Sequence, residues 1–307
     1  MKKCLVLTVA AVTLFFLNGA SAADEISKIE FSAGKRVDNL DWNISGVSPY
    51  GNVVNVLSEL TWTDLESYQA MAKARIYLDR VYIRSYAGYA FITSGENQDS
   101  DYRGDNRTLE YSRSNNKTDD GSLWDFSAGM GYLFRFATPA GALDIIPVAG
   151  LSYHKQNLAL TDGFQTISPT GDVGPFSGLD STYEARWAGP WAGVDLSYSY
   201  RKLSLLGSFE YHLAYYRAEA DWNLRTDFAH PVSFEHWATG TGVVISLGAE
   251  YAMERNWSLA GRFDLQDWSA SDGTDRTYFS DGTASDTPLN DVNWDSKAIM
   301  LGVNYKF

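Results

Sequence analysis

The chain is 307 residues long, enough for one large barrel or two ordinary soluble domains, and its 38 acidic against 25 basic residues give a formal net charge of −13. That acidity argues against nucleic acid as a partner. Mean hydropathy is slightly negative and no long apolar run follows the N-terminal segment, which excludes a helical membrane protein, yet aromatic residues reach 14%.

Residues 1–22 read as a signal peptide. Lys2 and Lys3 supply the basic end and Leu5–Leu17 the apolar segment. That run is too short for a bilayer, which needs about 20 residues. Ala20-Ser21-Ala22 forms a small-x-small cleavage site. Removing residues 1–22 changes the net charge from −13 to −15 and takes away Cys4, the only cysteine. The remaining 23–307 then cross an oxidising compartment with no thiol at risk. Cys4 has no cleavage context for a lipoprotein anchor.

The rest of the chain repeats one pattern, in which apolar and polar residues alternate with period two. Val53–Leu78 is long for one strand, so it either bulges and projects beyond the membrane or shifts the strand count. Val81–Phe91 alternates Val81, Ile83, Ala87, Tyr89 and Phe91 against Tyr82, Arg84 and Tyr86. Leu203–Tyr215 sets Phe209, Tyr211 and Leu213 against Ser208, Glu210 and His212. Val243–Tyr251 and Trp257–Asp267 continue the pattern, the latter with Arg262 on its polar face. Asp295–Phe307 alternates strictly and ends on an aromatic residue, which resembles the terminal strand that outer-membrane barrels present to their assembly machinery.

Short turns are expected at Asp79-Arg80, Pro139–Ala142, Arg201-Lys202 and Glu254–Asn256. Long polar segments are expected as extracellular loops at 45–52, 95–121, 158–181, 220–240 and 269–293. Five long connections joined by four short ones make about ten strands. The predicted fold is therefore all-β, a transmembrane antiparallel β-barrel in a bacterial outer membrane, surrounded by its lipids. Charged groups on strands that face lipid must point inward, so Arg84, Tyr86, Glu210, His212 and Arg262 are expected to pair across the lumen and close it. A general diffusion pore needs about 16 strands or more. Function is therefore expected at the strand ends and outer loops.

Two acidic segments stand out there. Asp99 and Asp101 are two apart, so on an extended strand end both point to one side. Like charges so placed raise one pKa and leave a group able to act as a base. Solvated acidic loops are the ordinary alternative. The second segment is Glu219-Ala220-Asp221-Trp222-Asn223, above the strand Leu203–Tyr215. In a ring of about ten strands, the third and seventh lie roughly opposite, so the two segments are expected to face each other across the mouth.

The stretch Ser58–Trp62, the strand Ile83–Gly95 and the unit Asp99-Ser100-Asp101-Tyr102 together resemble the omptins, ten-stranded outer-membrane endopeptidases. The likeness covers most of residues 23–307 thinly and is best over Leu57–Asp101. It implies that Asp99 and Asp101 hold an attacking water. It also implies that Asp221 orients a base where Asn223 stands in place of the omptin histidine. An amide cannot serve as that base near neutral pH. His230 and His236 lie in the same loop and are the surrogates to consider. The resemblance also implies a basic outer-face cluster for lipopolysaccharide phosphates, with Lys155 near one position and Arg201 less well placed. A wall lysine that snorkels to the interface is the plain alternative for Lys155.

No cofactor motif is present, and lipopolysaccharide is the one structural lipid the resemblance suggests. The repeats at Asp272-Gly273-Thr274-Asp275 and Asp281-Gly282-Thr283 are expected to be turns rather than calcium loops. Two functions follow. One is a surface endopeptidase of altered or weakened catalysis, with Asp99, Asp101, Asp221 and Asn223 at its catalytic positions. The other is a non-catalytic surface barrel that binds cationic peptides or proteins in the same acidic groove.

Overall fold

The computed structural model describes residues 27–139 and 141–307; the expected signal peptide lies outside the described residues. Thirteen antiparallel strands are present: β1 (Lys28–Val47), β2 (Val53–Leu78), β3 (Val81–Gly104), β4 (Thr108–Lys117), β5 (Gly121–Tyr132), β6 (Phe134–Thr138), β7 (Gly141–Ile167), β8 (Gly174–Pro175), β9 (Ser181–Tyr200), β10 (Leu203–Asp221), β11 (Phe234–Ala252), β12 (Trp257–Tyr278) and β13 (Ala284–Lys306). β4, β5 and β6 are successive pieces of one stave, and β8 is a two-residue piece beside β7. Pairings run from β1 through β2, β3, the broken stave, β7 and β9 to β13, and β13 returns to β1. The ring has ten staves, with β3 third and β10 seventh.

The expected short turns at Asp79-Arg80, Arg201-Lys202 and Glu254–Asn256 are present, and at the fourth, Thr138 pairs with Gly141. Of the expected long loops, 95–121, 158–181 and 269–293 are mostly strand. β3 runs on to Gly104 and pairs there with β4, while β12 and β13 leave only residues 279–283 between them. The polar residues of these ladders carry no apolar alternation to reveal them, yet ladder hydrogen bonds satisfy the backbone in water as well as in lipid. At about 3.3 Å per residue, a strand like the 26-residue β2 far exceeds an apolar band about 25 Å tall. The barrel therefore stands well out of the membrane. β2 does bulge: its register shifts between Thr63 and Glu66, with Asp64 at φ 53°. One extra residue exchanges the faces, so the buried series changes from Leu60 and Trp62 to Leu65, Ser67 and Gln69.

Lipid-facing residues such as Phe31, Leu151, Leu205, Leu247 and Leu301 are exposed on the outer wall. The lumen is filled. Its upper part holds Trp42, Trp62, Trp187, Trp268, Trp294, Tyr183 and Tyr216, with the Trp268 and Trp294 rings stacked at 5.4 Å. Beneath them Arg36 is fully buried, bonded to Asp38 at 2.8 Å and also to Asp125. His154 lies 2.7 Å from Asp125, and Trp294 donates to Asp38 at 2.8 Å. Arg84 of the third stave pairs with Glu210 of the seventh at 2.6 Å, directly across the lumen, and with Asp195 at 2.8 Å. Gly129 and Gly150 leave room for the Trp191 ring, which a Cβ on either would meet at 2.7 Å. Of the expected inward set, Arg84, Glu210, His212 and Arg262 are tied into ion pairs or hydrogen bonds and Tyr86 lines a small cavity beside Glu210 and Arg262, with an added layer of tryptophan.

Candidate functional site at the extracellular mouth

Asp99 and Asp101 lie on β3 eight and ten residues beyond Phe91, the last lipid-exposed aromatic of that strand. Opposite β2, Ser67 pairs with Ile92 and Glu66 with Ser94, so Thr93 is skipped and the inward face changes parity. Asn97, Asp99 and Asp101 then share one side. Both aspartates are half-buried. Burial first, and then the negative charge of Asp101, push the Asp99 carboxyl up to about 8, against opposing pulls from Arg225 and a hydrogen bond from Trp222. Burial likewise raises Asp101, opposed by a hydrogen bond from Ser58 and by Arg225. The pair therefore tends to share one proton near neutral pH.

Trp222 and Arg225, from the seventh stave and its loop, act on this pair, together with Ser58 of β2 and Tyr111 of β4. On β10 the residues Glu210, His212, Ala214, Tyr216, Ala218 and Ala220 are buried and point inward. Trp222 continues that series, packing on Phe234 at 4.8 Å. Arg225 is held by Asp227 through two bonds of 2.9 and 2.8 Å and lies 4.0 Å over the Phe228 ring. Its guanidinium acts on both aspartates. Tyr111 of β4 is a further neighbour, its hydroxyl pKa raised by burial and by Asp101.

Asp221 follows the other parity, with Tyr215, Arg217 and Glu219 on the outer side of β10. Its carboxylate lies 2.6 Å from His230 Nδ1. Asn223 ties two loops together. Its Oδ1 accepts from the Asp180 N–H at 3.1 Å and the Ser181 hydroxyl at 3.0 Å, and its amide donates to the Gly178 carbonyl at 2.7 Å. His236 is buried in the upper lumen, 3.0 Å from the Tyr183 hydroxyl and 3.1 Å from Asp275. Among the described residues, no hydrogen bond or ion pair joins Asp221, Asn223 or His230 to the Asp99–Asp101 pair. The sequence reading did not single out Arg225. Its one signal was being the only cation in the segment 219–229.

Lys155 points outward on β7 beside exposed Tyr153, and its amine is paired with Glu184. Glu184 also binds Arg186, which reaches Glu219 at 3.0 Å, and Arg217 reaches Glu235 at 2.7 Å. Arg201 sits at the β9–β10 turn, at the opposite end of the barrel, so it cannot share a cluster with Lys155. Asp272 sits at a positive φ of 53°, close to the register shift between Trp237 and Thr239, and Asp281 caps the N–H of Thr283 at 2.9 Å. Among the described residues no group of three or more His, Cys, Asp or Glu side chains is placed to hold a metal ion.

The model of the Protochlamydia outer membrane protein family, Pom, matches residues 30–307. The chain belongs to the Pom family. This Pom-family chain is similar in structure to the outer membrane protease OmpT from Escherichia coli, with a TM-score of 0.74 and 14% identity over 94% of this chain and 99% of that one. At such identity the likeness shows the fold. Two further similar structures score far lower. They are the translocator domain of the autotransporter NalP from Neisseria meningitidis (TM-score 0.33, 12% identity, 95% of this chain and 90% of that one) and a Pseudomonas aeruginosa FadL homologue (0.28, 10%, 92% and 91%). Comparison with curated proteins finds no match. The Pom-family chain is an outer-membrane protein of omptin-like fold, and the bacterial outer membrane is its location.

Proposed function

We propose that the mouth of this barrel captures cationic segments of peptides or proteins at the cell surface. The observation that carries this is that Asp99 and Asp101 share one side of β3 at the mouth, with Arg225 acting on both electrostatically while its ion pair is to Asp227. The chain's own guanidinium stands where a ligand's cation would stand, beside Trp222 and Tyr111. Aromatic faces and carboxylates together suit Lys and Arg side chains. Arg225 also has Asp227 as a private partner, so an incoming cation can displace it without leaving it unpaired.

A second reading, hydrolysis of the captured peptide, draws on the Asp221–His230 pair at 2.6 Å. In that reading Asp99 and Asp101 hold the attacking water, as the omptin resemblance implies, and a carboxylate-oriented imidazole supplies the base from position 230 while Asn223 orders the loop. It requires the 222–233 loop to swing His230 toward the mouth when peptide binds.

The test is an internally quenched dibasic peptide offered to purified, refolded protein. Saturable binding without cleavage, lost in an Asp99→Asn/Asp101→Asn double variant, supports capture. Cleavage that needs His230 supports hydrolysis. Binding unaffected by the double variant would overturn both.

A further inference from the structure

The barrel end that carries the short turns holds a cavity of about 380 Å³, lined by six cationic and four acidic side chains. Most of these charges are matched. Lys28 lies 2.6 Å and Arg75 2.9 Å from Glu250, Arg262 is 2.9 Å from Glu30, and Arg135 is 2.7 Å from Asp144. Lys73 and Lys306, the latter at the end of β13, are the exceptions, and Lys73 is the one set deep among other cations. It follows the inward parity of β2 and lines both this cavity and a smaller one beside it. The residue directly across from it on β1 is Glu30, whose carboxylate is held by Arg262 and, at 3.8 Å, by Arg75. Asp195 is likewise occupied, by Arg84 at 2.8 Å and the Tyr82 hydroxyl at 2.9 Å. Among the described residues Lys73 therefore has no hydrogen-bond or ion-pair partner, while Arg75, Arg84 and Arg262 surround it.

An ammonium without an ion-pair partner, set among guanidinium groups in a partly desolvated lumen, is unfavourable unless an anion joins it. The lining carries six cationic side chains against four acidic ones, a positive surplus that Asp264, 2.8 Å from Arg262, reduces without removing. A phosphoryl group supplies negative charge there, and its oxygens suit both a point ammonium and planar guanidinium forks. The volume falls in the range of small-molecule sites, about 300–1,000 Å³.

We propose that this cavity is a binding site for a phosphate-bearing anion, with Lys73 as its central ligand, entered from the periplasm. It lies at the opposite end of the barrel from the mouth and is independent of the function proposed there. The shared chemistry is a phosphate, whether free or on a lipid headgroup.

The experiment is calorimetric titration of inorganic phosphate into the full-length refolded barrel in maltoside detergent, with Lys73→Met and Lys73→Arg beside it. Heat-modifiable gel mobility checks that each variant is folded. The expected result is saturable binding to the wild type, at least tenfold weaker in Lys73→Met and kept in Lys73→Arg. A second arm repeats the titration in nanodiscs of phosphatidylglycerol and of phosphatidylcholine. Loss of phosphate binding confined to phosphatidylglycerol assigns the site to a headgroup, and equal binding in both assigns it to a soluble phosphate. No phosphate binding to the wild type in maltoside, or equal binding to folded Lys73→Met, overturns the proposal.

Discussion

His230 Nδ1 lies 2.6 Å from Asp221 Oδ1, which closes the 222–233 loop back onto the end of β10. Both side chains are about one-third exposed, so the bond is worth less than about 1 kcal/mol. Its role is to order the loop. His230→Ala and Asp221→Asn should each speed cleavage of that loop by an added protease on intact cells, and the double variant should be no faster than either single one. Additive effects would show that the two residues do not act as a pair.

Asn223→His should not restore a base. The amide already makes three bonds to residues 178–181, and an imidazole cannot reproduce them. The substitution should loosen both loops and leave dibasic-peptide cleavage within about twofold of the wild type, whereas a gain of about 10²-fold, the scale of general-base catalysis, would overturn this expectation.

The pH dependence of peptide capture follows from Asp99. Its pKa of about 8 is set by burial and by Asp101, so it is largely protonated at pH 6 and ionised at pH 9. A cationic ligand prefers the ionised form. Affinity for an arginine peptide should therefore rise by about tenfold or more from pH 6 to pH 9. The same rise in an Asp99→Asn variant would assign the titration to another group.

Stability has the opposite sign. A carboxyl with a higher pKa in the folded than in the unfolded chain binds more protons when folded, so stability falls as pH rises from about 4 toward 8. Asp99→Asn should therefore raise the melting temperature at pH 8 and leave it unchanged at pH 4, by roughly 2–4 °C for each kcal/mol recovered. An equal shift at both pH values would point to packing instead of charge. Arg225→Ala should strengthen cationic-peptide binding several-fold, because the competing internal cation is gone; weaker binding would mean that Arg225 organises the site.

The lumen offers a test of closure. Arg36→Met leaves Asp38 and Asp125 as buried carboxylates without their cation and should cost roughly 3–5 kcal/mol, read as a lowered urea midpoint for unfolding. The wild type should show no steady conductance in a planar bilayer, because the stacked Trp268 and Trp294 and their neighbours fill the bore. A stable ohmic channel would contradict that packing.

The period-two alternation of Val81–Phe91, Leu203–Tyr215 and the last strand determined the barrel and the inward set of Arg84, Tyr86, Glu210, His212 and Arg262, because lipid on one side permits only one side-chain pattern, and the run of short and long connections gave about ten strands. The same period also placed Asp99 and Asp101 together, since residues two apart on a strand share a face. What the sequence could not determine depends on register and on distant contacts. The polar ladders above the membrane looked like loops, because no lipid outside them imposes an apolar alternation. The bulge that skips Thr93 sets which way the aspartates face. The closing of Asp221 onto His230, the use of Asn223 as a loop tie and the electrostatic reach of Arg225 to Asp99 link residues that no local pattern relates, so only the folded ring of staves decided them.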